Sequence, residues 1–224
     1  MSGHFRREDV EIGDNVTTIS VNSHDRGTLL TKGVSINKGQ TVIKGTFDMT
    51  NESSDWIQTF RTLFDQKVLS YKKGTRNADA MFPSEEKDFL RSIGATPQEI
   101  YDFVEDWCDD GEPDPDMVVA ITQIRRDYFL NDQQGQYSKY VKITDLFPPR
   151  EAKLAGLEWF PRIIEKAKAK LRGELPLDLM YSCGADRRFL KKTNVDPAEF
   201  LQVVREAGDD VEHIVKFVTN RSQA

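Results

Sequence analysis

The residues best equipped for chemistry lie in one short stretch, Tyr181-Ser182-Cys183-Gly184-Ala185-Asp186-Arg187-Arg188. Cys183 falls just ahead of a predicted helix, where unpaired N–H groups and the helix dipole favour a thiolate. A nucleophilic cysteine normally needs a base, usually histidine. Only His4, His24 and His213 are present, so at most one could serve. The alternative is a half-buried thiol packed beside Tyr181, the usual role of a free cysteine. Asp186 is expected to cap that helix and to hold Arg162 or Arg188 in a local ion pair. Arg162 and Lys166 are four residues apart, on one helical face. If the tertiary fold brings Arg188 to them, the group makes an anion site near a helix N-terminus. Two guanidiniums repel unless a carboxylate or an anion joins them. Asp186 supplies one carboxylate, so a second acceptor is expected: a carbonyl, another acid or a ligand.

Other motifs are weaker. In DWCDDGEPDPDM, Asp106 as the first ligand of a calcium loop places Cys108 and Met117 where carboxylates are required, which excludes an EF-hand. A loose cation site of Asp109, Asp110 and Asp114 or a solvated loop remains. The sequence holds no glycine-rich phosphate loop, no HExxH and no Cys or His pair at zinc spacing, and no cofactor is implied.

These residues must be positioned by a chain of 224 residues with 38% hydrophobic and 30% charged side chains. Thirteen Phe, six Tyr and three Trp supply material for a core and argue against disorder. The longest uninterrupted apolar run, Met117 to Ile121, is far short of a membrane span, and the N-terminal residues do not read as a secretory signal. Two cysteines, Cys108 and Cys183, cannot form a disulfide scaffold, so a cytoplasmic setting is expected. The net charge of −6 argues against nucleic-acid binding. It is unevenly spread. Residues 84–116 hold 12 acids and 2 bases, while residues 150–192 hold 11 bases and 6 acids. These are two solvated faces, two segments that attract each other, or a basic face for an anionic partner.

The patterning predicts a mostly α protein with a small N-terminal antiparallel β-element. Residues 1–50 form the N-terminal arm, with short strands between turns over 10–48. Residues 51–130 form a first helical unit. Trp56, Phe60, Leu63, Phe64 and Lys67 share one helical face, the lysine snorkelling at its end. Ser84 is read as an N-cap. Thr96, Pro97 and Glu99 form a capping box with proline at the first helical position. A further helix runs from about Met117 to Phe129. Residues 131–148 form a connector in which SKYVKI suits a strand paired with the N-terminal element. Residues 149–224 form a second helical unit, beginning with a helix over about 157–171. The second unit repeats the first at an offset of 100 residues: Phe89 and Leu90 match Phe189 and Leu190, Pro97 matches Pro197, Glu99 matches Glu199, and Val104 matches Val204. Shared caps, core positions and helix order predict an internal repeat with pseudo-twofold symmetry.

The C-terminal part also resembles a known family. FPPREAKLAGLEWFPRIIEKAKAKL, then MYSCGADRRFL, then DPAEFLQVV is similar to the small bacterial domain known as domain of unknown function 5069. The positions that carry the likeness are Pro149-Arg150, Arg162, Glu165-Lys166, Tyr181, Cys183, Asp186, Arg188, Phe189, Pro197, Glu199 and Phe200. Glu165 stands where the family has Asp, and Ala155 where it has Gly. The resemblance covers roughly residues 145–222. It implies a small helical fold and brings no activity. By the same comparison the first unit is a diverged copy without the Cys and Arg positions.

The expected function is that of a cytoplasmic helical binding or interaction module. Its partner would be an anionic small molecule, held by Arg162, Lys166, Asp186 and Arg188, or another protein. Neither nucleic acid nor membrane is expected, and a homodimer is compatible with the sequence. The alternative is a small-molecule enzyme with a site between the two helical units. Arg162 and Arg188 would then orient the substrate, and Cys183 or Tyr181 would act as nucleophile or proton donor.

Overall fold

The computed structural model describes residues 31–37, 40–45 and 49–222, with side chains from 55 onward. The chain divides into two compact units, Met1–Trp56 and Ile57–Ala224. In the first, β1 (Thr31–Asn37) and β2 (Gln40–Gly45) pair antiparallel, with Val34 opposite Ile43 and a register shift between Thr31 and Val34. The remainder of the predicted 10–48 meander lies outside the described residues.

The second unit is helical. Helix α1 (Met49–Lys72) runs into it from the first, followed by α2 (Ala78–Met81), α3 (Ser84–Ser92), α4 (Pro97–Asp110) and α5 (Pro115–Asp127). A π-helical turn over Tyr128–Asp132 ends α5, which therefore starts and stops before the predicted bounds. Next come β3 (Lys153–Leu154), β4 (Leu157–Glu158), α6 (Phe160–Arg172), α7 (Gly184–Lys192), α8 (Pro197–Ala207) and α9 (Val211–Ser222). The β3–β4 ladder is a correction: the helical unit carries its small β-element here, in a stretch read as helical. SKYVKI is not a strand either. Lys142 N donates to Glu174 O at 2.9 Å, and the apolar Val141 and Ile143 are exposed, so β-propensity there finds no sheet to join.

Local signals explain the helix starts. Thr96 Oγ1 accepts from Glu99 N at 3.2 Å, and Asp196 Oδ1 accepts from Ala198 N and Glu199 N at 2.8 and 3.1 Å, with proline first in both helices. The Glu99 side chain does not complete the capping box; it reaches Lys170 of α6 instead. Pro83, not Ser84, caps α3.

Elements of the two halves of this unit fall at one offset. Helices α3 and α7 span 84–92 and 184–192, α4 and α8 begin at Pro97 and Pro197, and α1 and α6 end at Lys72 and Arg172. The turn between the paired helices is built the same way. Gly94 and Asn194 adopt φ of +74° and +54°, and the next N–H closes back on Leu90 O at 2.9 Å or Leu190 O at 3.0 Å. Phe60 and Phe160, Leu90 and Leu190, Ile100 and Phe200, and Val104 and Val204 are all fully buried. The halves share one core, because α5 packs on α8 and on α6.

Candidate functional site

Lys166 on α6 and Asp186 on α7 form a buried ion pair, Nζ to Oδ2 2.5 Å, with exposures of 1% and 0%. Asp186 does not cap α7, whose N-cap is Cys183. It stands at the third helical position and reaches back to accept the Ser182 N–H at 2.9 Å, while Trp159 Nε1 donates to its other oxygen at 2.8 Å. Nor does it pair with Arg162 or Arg188. Three donors, one of them cationic, saturate this carboxylate, and that is what permits its burial. Trp159 and Ser182 both hold left-handed backbone, φ +73° and +66°, a conformation that costs non-glycine residues roughly 1–2 kcal/mol each. Their hydrogen bonds to Asp186 hold them there.

The pair lies at the base of a cleft of about 690 Å³ between α4, α6, α7 and the chain before α7. Cys183 lines it, with Lys166 Nζ donating to Sγ at 3.2 Å. Arg162 lines it too, although only 8% exposed; its Nη1 donates to Pro148 O at 2.7 Å, and its guanidinium lies over the Phe147 and Trp159 rings. Exposed Arg188, Arg150 and Lys192 complete the basic lining. Among the described residues none of these four cations has a carboxylate partner. The acids of the cleft are otherwise engaged. Glu105 accepts from Tyr101 and Tyr71, Asp106 binds Arg187, Glu158 binds Lys153, and Asp178 accepts from Thr144. Asp102 accepts from Gln98, and burial pushes its carboxyl up to about 6.

Residues 147–224 match the family model described as a domain of unknown function (DUF5069). No curated protein and no solved structure matches the chain. The matched segment supplies Arg150, Arg162, Lys166, Cys183, Asp186, Arg188 and Lys192, while the acidic wall on α4 lies outside it.

Of the predicted site residues, Arg162, Lys166, Cys183 and Arg188 come together in the cleft, with Asp186 beneath them. Tyr181 does not join them. It is fully buried, donates its hydroxyl to Pro197 O at 2.7 Å and lines a separate small pocket; burial raises its phenol well above the usual value. His213 is exposed on α9.

Two residues around the site take roles that the sequence did not assign to them. Arg187 binds Ser182 O at 2.7 Å and crosses to Asp106 at 2.6 Å, Asp110 at 3.4 Å and Glu112 at 3.6 Å. With Lys191–Glu112 and Lys170–Glu99 it ties the basic segment to the acidic one. Their opposite charge balances were the available signal, and attraction between the segments is what the fold uses. Trp159 is the other: its indole N–H orients Asp186. Lys67 also departs from expectation. It does not snorkel to water; it is buried against Glu86, the third residue of α3, as Lys166 is against the third residue of α7.

Residues 55–222 include no group of three or more His, Cys, Asp or Glu side chains arranged to hold a metal, and no helix among the described residues is long and apolar enough to cross a membrane.

Proposed function

We propose that the chain is an anion-binding module whose site is the cleft lined by Arg162, Arg188, Arg150 and Lys192. One observation carries this reading. Arg162 is almost fully buried yet has, among the described residues, only a backbone carbonyl and two aromatic faces as partners, with no carboxylate. A buried charge without a counter-charge is costly, and an anion in the cleft would supply the counter-charge while Arg188, Arg150 and Lys192 close around it. Lys166 is neutralised by Asp186 and serves to hold the wall and Cys183 in place.

The module is read as a duplicated helical unit in which the second copy keeps the site. The common helix bounds and the common turn support this. The corresponding groove of the first half is lined by Thr62, Gln66 and Glu85, where the second half has Arg162, Lys166 and Ala185. It lacks the cations, so a single anion per chain is expected. Two free cysteines accord with a reducing, cytoplasmic setting.

Phosphate and citrate should raise the melting temperature of the wild type and leave Arg188→Ala unmoved. Arg188 is exposed and unpaired among the described residues, so its removal should change the unliganded stability by less than about 0.5 kcal/mol. Equal shifts in both proteins, or none in either, would overturn the reading. The enzyme alternative rests on Cys183 in the cleft. It requires turnover on an anionic substrate that Cys183→Ser abolishes while anion binding persists.

A further inference from the structure

Beside the cleft lies a second, smaller cavity of about 100 Å³. Leu175, Pro176, Leu177, Leu179, Met180 and Tyr181 form one side of its wall, and Thr96, Gln98, Asp102 and the buried Lys170–Glu99 ion pair line the rest with Gly94, Gly173 and Tyr137. The two cavities share residues: Asp102, Leu177, Leu179 and Met180 line both. Leu177 is 76% exposed, a large apolar side chain left in water at the rim common to both. Elsewhere along this loop polar groups are satisfied, with Thr144 Oγ1 donating to Asp178 at 2.7 Å and Ser138 Oγ to Glu174 at 2.9 Å. A cleft holding four cations without a carboxylate partner among the described residues thus adjoins, across an edge of Leu177, Leu179, Met180 and Asp102, a narrow pocket with one apolar side.

We propose that the ligand is an amphipathic anion: a phosphate or carboxylate head held by Arg162 and Arg188, carrying a short alkyl or aryl tail that enters the small pocket past Leu177 and Leu179. This rests on the anion site proposed above and adds the tail. The charged head neutralises the buried guanidinium, and the tail removes apolar wall and the Leu177 side chain from water. Lys170 is already paired with Glu99. Asp102 stands at the junction of the two cavities, half-buried, where its carboxylate would repel the head and its protonated form would not.

Titration of the full-length chain with inorganic, ethyl, butyl and hexyl phosphate tests this. Each methylene that enters the pocket should tighten binding about fourfold, the equivalent of ~0.8 kcal/mol per buried CH₂, until the pocket is full. Leu179→Trp, which fills the shared edge, should abolish the dependence on chain length and retain binding of inorganic phosphate. Arg188→Ala should weaken every member of the series by one common factor. A flat series with phosphate binding intact overturns the tail and leaves the anion site standing. Chain-length dependence that survives Leu179→Trp puts the tail elsewhere and also overturns it. No binding of any phosphate removes the anion site, and the tail with it.

Discussion

Replacing Asp186 by asparagine should be among the most damaging single changes in the helical unit. The carboxylate is fully buried and accepts three hydrogen bonds, from Lys166 Nζ at 2.5 Å, Ser182 N at 2.9 Å and Trp159 Nε1 at 2.8 Å. An amide has one acceptor oxygen, so its NH₂ must face a donor that loses its partner, at roughly 1–3 kcal/mol. Lys166, 1% exposed, loses its counter-charge and keeps at most a neutral amide oxygen and the Cys183 sulfur at 3.2 Å, and breaking a buried pair from one side costs about 3–5 kcal/mol. The total, taken as about 3–5 kcal/mol because the two effects overlap, corresponds to a fall in melting temperature on the order of 10 °C for a chain of this size. Urea denaturation of Asp186→Asn, Lys166→Met and the double variant measures it. The double variant removes the stranded charge and keeps an acceptor for Trp159 or Ser182, so it should recover at least about 2 kcal/mol relative to the sum of the singles. Another lysine–carboxylate pair, Lys67–Glu86 in the first half, has a carboxylate with a side chain 22% exposed, and Glu86→Gln should cost less than Asp186→Asn. A loss under about 1 kcal/mol for Asp186→Asn, or additive singles, would refute the argument that a buried charge network holds the cleft wall.

Asp102, raised by burial from 3.8 to about 6, holds its proton more tightly folded than unfolded, so its contribution to stability is greatest below pH ~4, falls between about 4 and 6, and stays low above. Asp102→Asn, which keeps an acceptor for Gln98, should remove that fall and raise stability at pH 7 by about 1 kcal/mol after solvent screening is allowed for; denaturation midpoints from pH 4 to 8 would show it, and an unchanged pH slope would exclude it. Exchange of the two turn residues should be asymmetric. Gly94→Asn meets the Phe129 ring, 2.7 Å from the added Cβ, and should cost about 1–3 kcal/mol, whereas Asn194→Gly at an exposed turn should stay within about 0.5 kcal/mol of wild type.

What the sequence determined by itself was local. Thr96-Pro97, Asp196-Pro197 and the apolar spacing of Phe60, Leu63 and Phe64 act within a turn or two of one helix, and helix starts and buried faces were legible from them. The offset of 100 residues was legible for the same reason, since caps and core positions recur in order. The partners of charged groups were not. Asp186 stands three residues after a plausible cap position, and sequence spacing is silent on whether it serves its own helix or another. Lys166 wins because α6 and the chain before α7 bring an ammonium, an indole N–H and a backbone N–H to one point that excludes water, where only a saturated carboxylate can be accommodated. The same closure turned Tyr181 inward to Pro197 O and left Arg188 in the cleft. Charge balance showed that two segments could attract; only tertiary packing decided that Arg187 would bind the α4 acids and Arg162 would be buried without one. Hydrogen bonds and ion pairs between distant elements depend on distances that neither propensity nor periodicity encodes, and the cleft is made of such contacts.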